Sequence, residues 1–206
     1  MSNEMYNPSR RDFLKGVAID AGGYAFGSML IHPKEAMAQS IEGYLQKVPM
    51  EDRWNFTSGA YVTWYVTYLK TFYDQGGSEK FIEFMKETGR KLGAGYKGFA
   101  DRYGLTGNDA KSAAAIIPAM ITVFFGPQQK YEIEEATVEK TRVKCINCAF
   151  WNAVQAQKIK DDLCSALSLY SWEGRAKAIN PRLTSTLVKA KPRGDSVCEW
   201  VIELNA

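Results

Sequence analysis

Histidine is nearly missing from this chain: His32 stands alone among 206 residues. Cysteine is scarce and unevenly placed, with all four copies (Cys145, Cys148, Cys164 and Cys198) in the last third. There is no block of one charge. The 26 lysines and arginines are mixed with 23 acids, and a formal charge of +3 is too small to direct the chain to nucleic acid or an anionic membrane surface. No internal repeat and no low-complexity tract is visible. The two most apolar stretches, 16–31 and 113–125, fall short of the roughly 20 residues a membrane-spanning helix needs. What is present is ordinary: 46% hydrophobic and 24% charged residues, enough for one domain with an adequate core, or one domain plus an appendage.

The N-terminus carries a targeting pattern. Ser9-Arg10-Arg11-Asp12-Phe13-Leu14-Lys15 resembles a twin-arginine translocation motif, followed by a moderately apolar run and the small-x-small site Ala36-Met37-Ala38. This implies a signal peptide over residues 1–38, cleaved after Ala38, and a periplasmic domain over 39–206 that meets the twin-arginine translocase while already folded. An uncleaved anchor is the lesser alternative. Removal would take His32 with it. A histidine-free domain has no Ser-His-Asp or Cys-His arrangement, no H-E-x-x-H zinc site and no c-type haem ligand.

Helical periodicity runs from about Ile41 to Phe125. Tyr61, Trp64, Tyr65, Tyr68, Leu69 and Phe72 recur at three- and four-residue spacing, and Gln75-Gly76-Gly77 ends that helix. Phe81, Met85, Thr88, Leu92, Tyr96, Phe99 and Tyr103 mark a second stripe. Residues 113–125 form a third, buried helix that contains Pro118, with Asn108 placed to cap it. The aromatic stripe suits a core or the wall of a ligand cavity. Gly93-x-Gly95-x-x-Gly98 spells a dinucleotide fingerprint, but it lies inside a helical stripe instead of between a strand and a helix. Close helix–helix contact is the better reading.

Beyond Pro127 the pattern alternates. Extended chain is expected through Cys145, then a helix from about Phe150 to Tyr170, a loop at Asn180-Pro181, and two closing strands. These strands span 183–190 and 197–204, joined by a turn at 191–195. The fold class is therefore α+β, an N-terminal helical layer packed on a C-terminal antiparallel sheet with a cysteine-bearing helix. The order of features is Cys145-x-x-Cys148, Asp161-Asp162-Leu163-Cys164, Asn180-Pro181, Gly194-Asp195 and Cys198-Glu199-Trp200. It resembles the L-2-amino-thiazoline-4-carboxylic acid hydrolase-like family over residues 130–204, and more distantly the 4-vinyl reductase domains that bind small molecules. The resemblance implies a pocket between helices and sheet, and hydrolysis of a C–N bond in a small sulfur heterocycle.

Three chemistries for the cysteines stay open. Cys145, Cys148, Cys164 and Cys198 could hold zinc or an iron–sulfur cluster. They could form two disulfides in an oxidising compartment. Or a thiolate, Cys198 or Cys145, could act as nucleophile with Asp195 or Asp162 moving protons. Asp195 also reads as a simple turn residue after Gly194. The functions that follow are an exported small-molecule domain of the hydrolase-like family, an accessory or metal-binding subunit of a periplasmic redox complex, and a disulfide-stabilised binding protein.

Overall fold

The computed structural model describes residues 46–205; the twin-arginine motif, the cleavage site and His32 lie outside the described residues. Val48–Ala206 forms one compact unit.

Helix α1 (Met50–Arg102) is long in sequence but is broken at Gly77, whose φ of 74° and ψ of 176° no side-chain-bearing residue adopts readily. The break folds the helix back on itself. Tyr61 and Tyr96 would lie about 52 Å apart along a straight helix, yet both line one cavity. Phe72, Tyr73, Phe81 and Phe84 pack together across the bend. The buried stripe before it is Ser58, Val62, Val66 and Leu69, and after it Phe81 and Met85. The expected aromatic stripe is thus only partly inward. Trp64 and Tyr68 stack on each other at the surface, because tyrosine and tryptophan tolerate a wet face that valine does not.

Helix α2 (Ala110–Phe125) is almost wholly apolar and buried along one side, and among the described residues no helix is long and apolar enough to cross a membrane. Its cap is Asp109 in place of the expected Asn108. The Asp109 carboxylate accepts the Ser112 backbone N–H at 2.7 Å, and Ser112 reciprocates, closing a capping box.

Strands β1 (Lys130–Glu134) and β2 (Lys140–Asn147) follow. The single helix expected after them is two: α3 (Ala149–Ala156) and α4 (Leu163–Ile179). Lys158 at φ 55° breaks the run, and Asp162 starts α4 by accepting the Ser165 N–H at 2.8 Å. Strand β3 (Leu183–Lys189), a short 3-10 turn (Lys191–Arg193) and β4 (Cys198–Leu204) complete an antiparallel sheet of order β1-β2-β4-β3. Gly194, at φ 95°, ends the turn where the expected Gly-Asp corner lies.

Side-chain alternation gives the sheet two characters. Val143, Cys145, Cys198, Trp200, Ile202 and Leu187 face inward onto α2 and α4. The outer face carries an ion-pair ladder in which Glu199, fully buried, is held by Arg142 and Lys189. Burial alone would raise the Glu199 pKa, but bonds from Arg142 and Lys189 outweigh it and hold the carboxyl below its usual value.

The α1–α4 contact is unusually close. A Cβ on Gly93 would lie 2.5 Å from the Gly174 carbonyl carbon, and one on Gly89 would lie 2.5 Å from the Tyr170 carbonyl oxygen. Gly93 therefore does what was expected of it, allowing helix–helix approach, whereas Gly95 and Gly98 face open space.

Candidate functional site

A cavity of about 110 Å³ lies between α1, α2, α4 and the inner face of the sheet, and all four cysteines line it. Each reaches it by a different route. Cys145 and Cys198 are register partners on β2 and β4 and point to the same face. Cys148 caps the N-terminus of α3, and Cys164 opens the first turn of α4. On α4, Cys164, Ser168, Ser171 and Arg175 recur at spacings of four, three and four and form one wall.

The remaining wall is aromatic. Trp172 stacks on Trp200 at 4.2 Å between ring centroids, Tyr131 meets Trp172 edge-on, and Tyr65 meets Phe150 edge-on. Tyr61, Leu92 and Tyr96 line both this cavity and an outer groove of about 480 Å³, so they form its threshold.

Gln129 ties the cysteine end together. Its side-chain NH₂ donates to the Tyr131 hydroxyl at 2.9 Å and to Cys145 Sγ at 3.1 Å, while its carbonyl oxygen accepts the Ala149 N–H at 2.9 Å. One buried amide thus positions a strand, a thiol and the start of a helix.

The sulfurs are chemically unequal. The Cys148 thiol is lowered to about 7, chiefly by the neighbouring Cys145 thiol. Burial opposes this, and the Trp151 and Phe150 backbone N–H groups and the Lys191 charge assist it. A helix N-terminus favours an anion in this way, and Trp151 N–H lies 3.4 Å from the sulfur. Cys145 is raised, first by its neighbour Cys148 and then by burial, and its thiol donates to the Asn147 carbonyl at 3.3 Å, so it keeps its proton. Burial also raises Cys164 and Cys198. The arrangement favours ionisation at Cys148 over Cys145, Cys164 and Cys198.

All four cysteines are free, so of the three chemistries left open the structure does not show the two disulfides. Among the described residues no three His, Cys, Asp or Glu side chains are placed to hold a metal ion. The expected nucleophiles, Cys145 and Cys198, lie in the cavity wall, whereas Asp195, expected to move protons, does not. Its carboxylate accepts the Ala190 N–H at 2.8 Å and braces the β3–β4 turn. Asp162 is occupied as the α4 cap.

Sequence reasoning missed Cys148 as the activated sulfur and missed Arg175 altogether. Arg175 is only 5% exposed, and it sits over the Tyr96 ring at 4.1 Å. Its Nε and Nη1, and the Nε1 of Trp200, are buried without a hydrogen-bond partner. The available signal was the stripe on α4, in which a lone arginine continues the line of Cys164, Ser168 and Ser171.

No family model matches the chain, and no curated protein matches its sequence. Solved structures do share the fold. A trafficking protein particle complex subunit 3 from Naegleria fowleri, covalently bound to palmitic acid, is similar at a TM-score of 0.56 with 12% identity. The match covers 74% of this chain and 97% of that one. The phenol-responsive sensory domain of the transcription activator PoxR, with phenol, is similar at a TM-score of 0.55 with 10% identity, covering 69% and 74%.

Proposed function

We propose that this chain is a small-molecule domain whose ligand, about one ring in size, occupies the cysteine-lined cavity. The observation that carries the reading is convergence: four cysteines from four elements, with aromatic rings and one buried arginine, surround one cavity. The two structures of similar fold were solved with a small phenol and with a covalently held fatty acid. The volume favours the smaller scale, since an apolar cavity of about 150 Å³ accommodates benzene. A palmitoyl chain would need several times that space.

The test is a tryptophan-fluorescence titration of the full chain with phenol and benzamide, because Trp151, Trp172 and Trp200 line the cavity. Saturable quenching is expected, and it should be lost in Ser168→Phe with helical content retained. No saturable response to either probe would sink the reading, as would a response that Ser168→Phe leaves unchanged.

A catalytic form of the same proposal follows from the Cys148–Cys145 pair and from the resemblance of residues 130–204 to the aminothiazoline-carboxylate hydrolase-like family. The Cys148 thiolate adds to the carbon of a ring C=N group, forming a C–S bond while the π pair moves to nitrogen. That nitrogen takes the Cys145 proton. Cys145 resists ionisation chiefly because the Cys148 sulfur stands beside it, and adduct formation removes the negative charge on that sulfur. Water then displaces the sulfur, the ring C–N bond opens, and the two cysteines regain their starting protonation. Cys148→Ser should abolish release of the ring-opened product while phenol still binds; turnover at the wild-type rate would refute this form. Export by the twin-arginine route is part of the proposal, checked by N-terminal sequencing of the protein from the periplasm. A start other than Gln39 would count against cleavage after Ala38.

A further inference from the structure

Resting on the cavity reading above, we infer that the ligand is a small organic anion, a ring bearing one carboxylate, and that Arg175 is its counter-ion. Arg175 is the only cationic side chain among the described residues that line the cavity. It is buried, it makes no ion pair with a described acid, and two of its three nitrogens have no partner. A guanidinium does not shed its proton to escape this situation. An unpaired buried charge is among the most costly arrangements a fold can carry, and proteins keep one chiefly where something else completes it. Tyr96 offers its ring face at 4.1 Å, which holds the guanidinium plane but satisfies none of its N–H groups.

The other groups on the wall point the same way. The Trp200 Nε1–H is a second buried donor with no acceptor. Tyr61, Tyr65 and Tyr131 all feel the Arg175 charge, yet burial pushes each of them up, so they remain phenols and supply no negative charge. The Cys148 thiolate is set by Cys145, by two α3 amides and by Lys191, not by Arg175. On this wall the guanidinium and the indole N–H are the donors left without an acceptor. A carboxylate brings two acceptor oxygens and one charge to match one arginine, whereas a phosphate dianion would call for a second cation. An amine would face a cation with no acid beside it. The apolar walls and the small volume limit the remainder to about one ring.

Arg175 also lies next to Tyr96, a threshold residue, so the charge sits where a ligand enters. With the carboxylate at that end, the ring extends toward the cysteines.

The test compares benzoate with its neutral isostere benzamide on the full chain at pH 7, read by tryptophan fluorescence. Benzoate is expected to bind about tenfold tighter or more, the scale of a charge-assisted pair out of water. Arg175→Gln should erase that preference, bringing benzoate to the affinity of benzamide in the same variant; Arg175→Lys, which keeps the charge and loses the fork, should retain part of it. Benzoate binding no tighter than benzamide, or a preference surviving in Arg175→Gln, overturns the inference and leaves the cavity reading standing. If neither probe binds, both fall together. Should Arg175→Gln fail to fold, the wild-type preference and the Arg175→Lys variant still decide.

Discussion

Two glycines five residues apart on α1 should respond to the same substitution with opposite signs. Gly98 is exposed in the helix interior with nothing near a new Cβ. Gly98→Ala should therefore gain the helix-propensity difference, about 0.5–1 kcal/mol. Gly93→Ala gains the same term, but its Cβ would stand 2.5 Å from the Gly174 carbonyl carbon, where carbons normally approach no closer than about 3.5 Å. The overlap of about 1 Å meets backbone, which cannot rotate aside, so the helices must separate. Overpacking of this kind costs about 3 kcal/mol at the upper end of its usual range, leaving Gly93→Ala net destabilised by about 2 kcal/mol. At about 2–4 °C per kcal/mol for a chain of this size, the two variants should melt on opposite sides of wild type. Urea unfolding with a shared m-value gives the numbers directly. Stabilisation of Gly93→Ala to the same extent as Gly98→Ala would refute the close packing of α1 on α4. A loss of affinity for a nucleotide in Gly98→Ala would revive the dinucleotide fingerprint.

Three further outcomes are expected. Iodoacetamide should label Cys148 with a half-point near pH 7 in place of the usual 8.5 or so. Its lower nucleophilicity limits the advantage at pH 7 to about threefold over an ordinary thiol. Cys145→Ala should move the half-point up and Cys145→Ser should not; a half-point of 8.5 in wild type would remove the thiolate. Glu199→Gln should cost about 1–2 kcal/mol at neutral pH, allowing for the partly solvated Arg142 and Lys189. Because the folded Glu199 pKa is lowered, that contribution is present above the unfolded pKa and is lost as pH falls through the folded one. The gap between wild type and variant in denaturant titrations should accordingly close in acid; a gap that stays constant with pH would show that charge is not its source. Asp195→Ala should destabilise by about 1 kcal/mol through loss of the bond to Ala190 N–H and leave benzamide binding unchanged, since Asp195 braces a turn outside the cavity. Loss of binding at unchanged stability would return Asp195 to the site.

The division between what could and could not be read in advance has a physical cause. The α+β class, the Gly77 break and the two closing strands follow from periodicity and from backbone positions that only certain residues tolerate, and these are local properties. The α3–α4 break was missed because residues 157–162 contain neither glycine nor proline; the stop is a left-handed Lys158 and a capping Asp162. The inward face of α1 was misread because the most aromatic stripe is not the driest one, and Val62 and Val66 win the core. The cysteines were recognisable as a set because they are rare. Their ranking was not, since the Cys148 pKa depends on a helix terminus and on a neighbour delivered by another element.

Arg175 is the more instructive omission. Along α4 the stripe Cys164, Ser168, Ser171 and Arg175 has core spacing but not core composition. Side chains this small or polar do not fill the space between a helix and a sheet, and the two serines, one cysteine and one arginine leave hollow what leucines would occupy. Trp172 and Leu167, on the adjoining rows, also border the cavity but are buried among the core residues. A helix that alternates a filling row with a row too small to fill encloses a cavity by construction, and a cation placed in the second row tells what charge that cavity is built to receive.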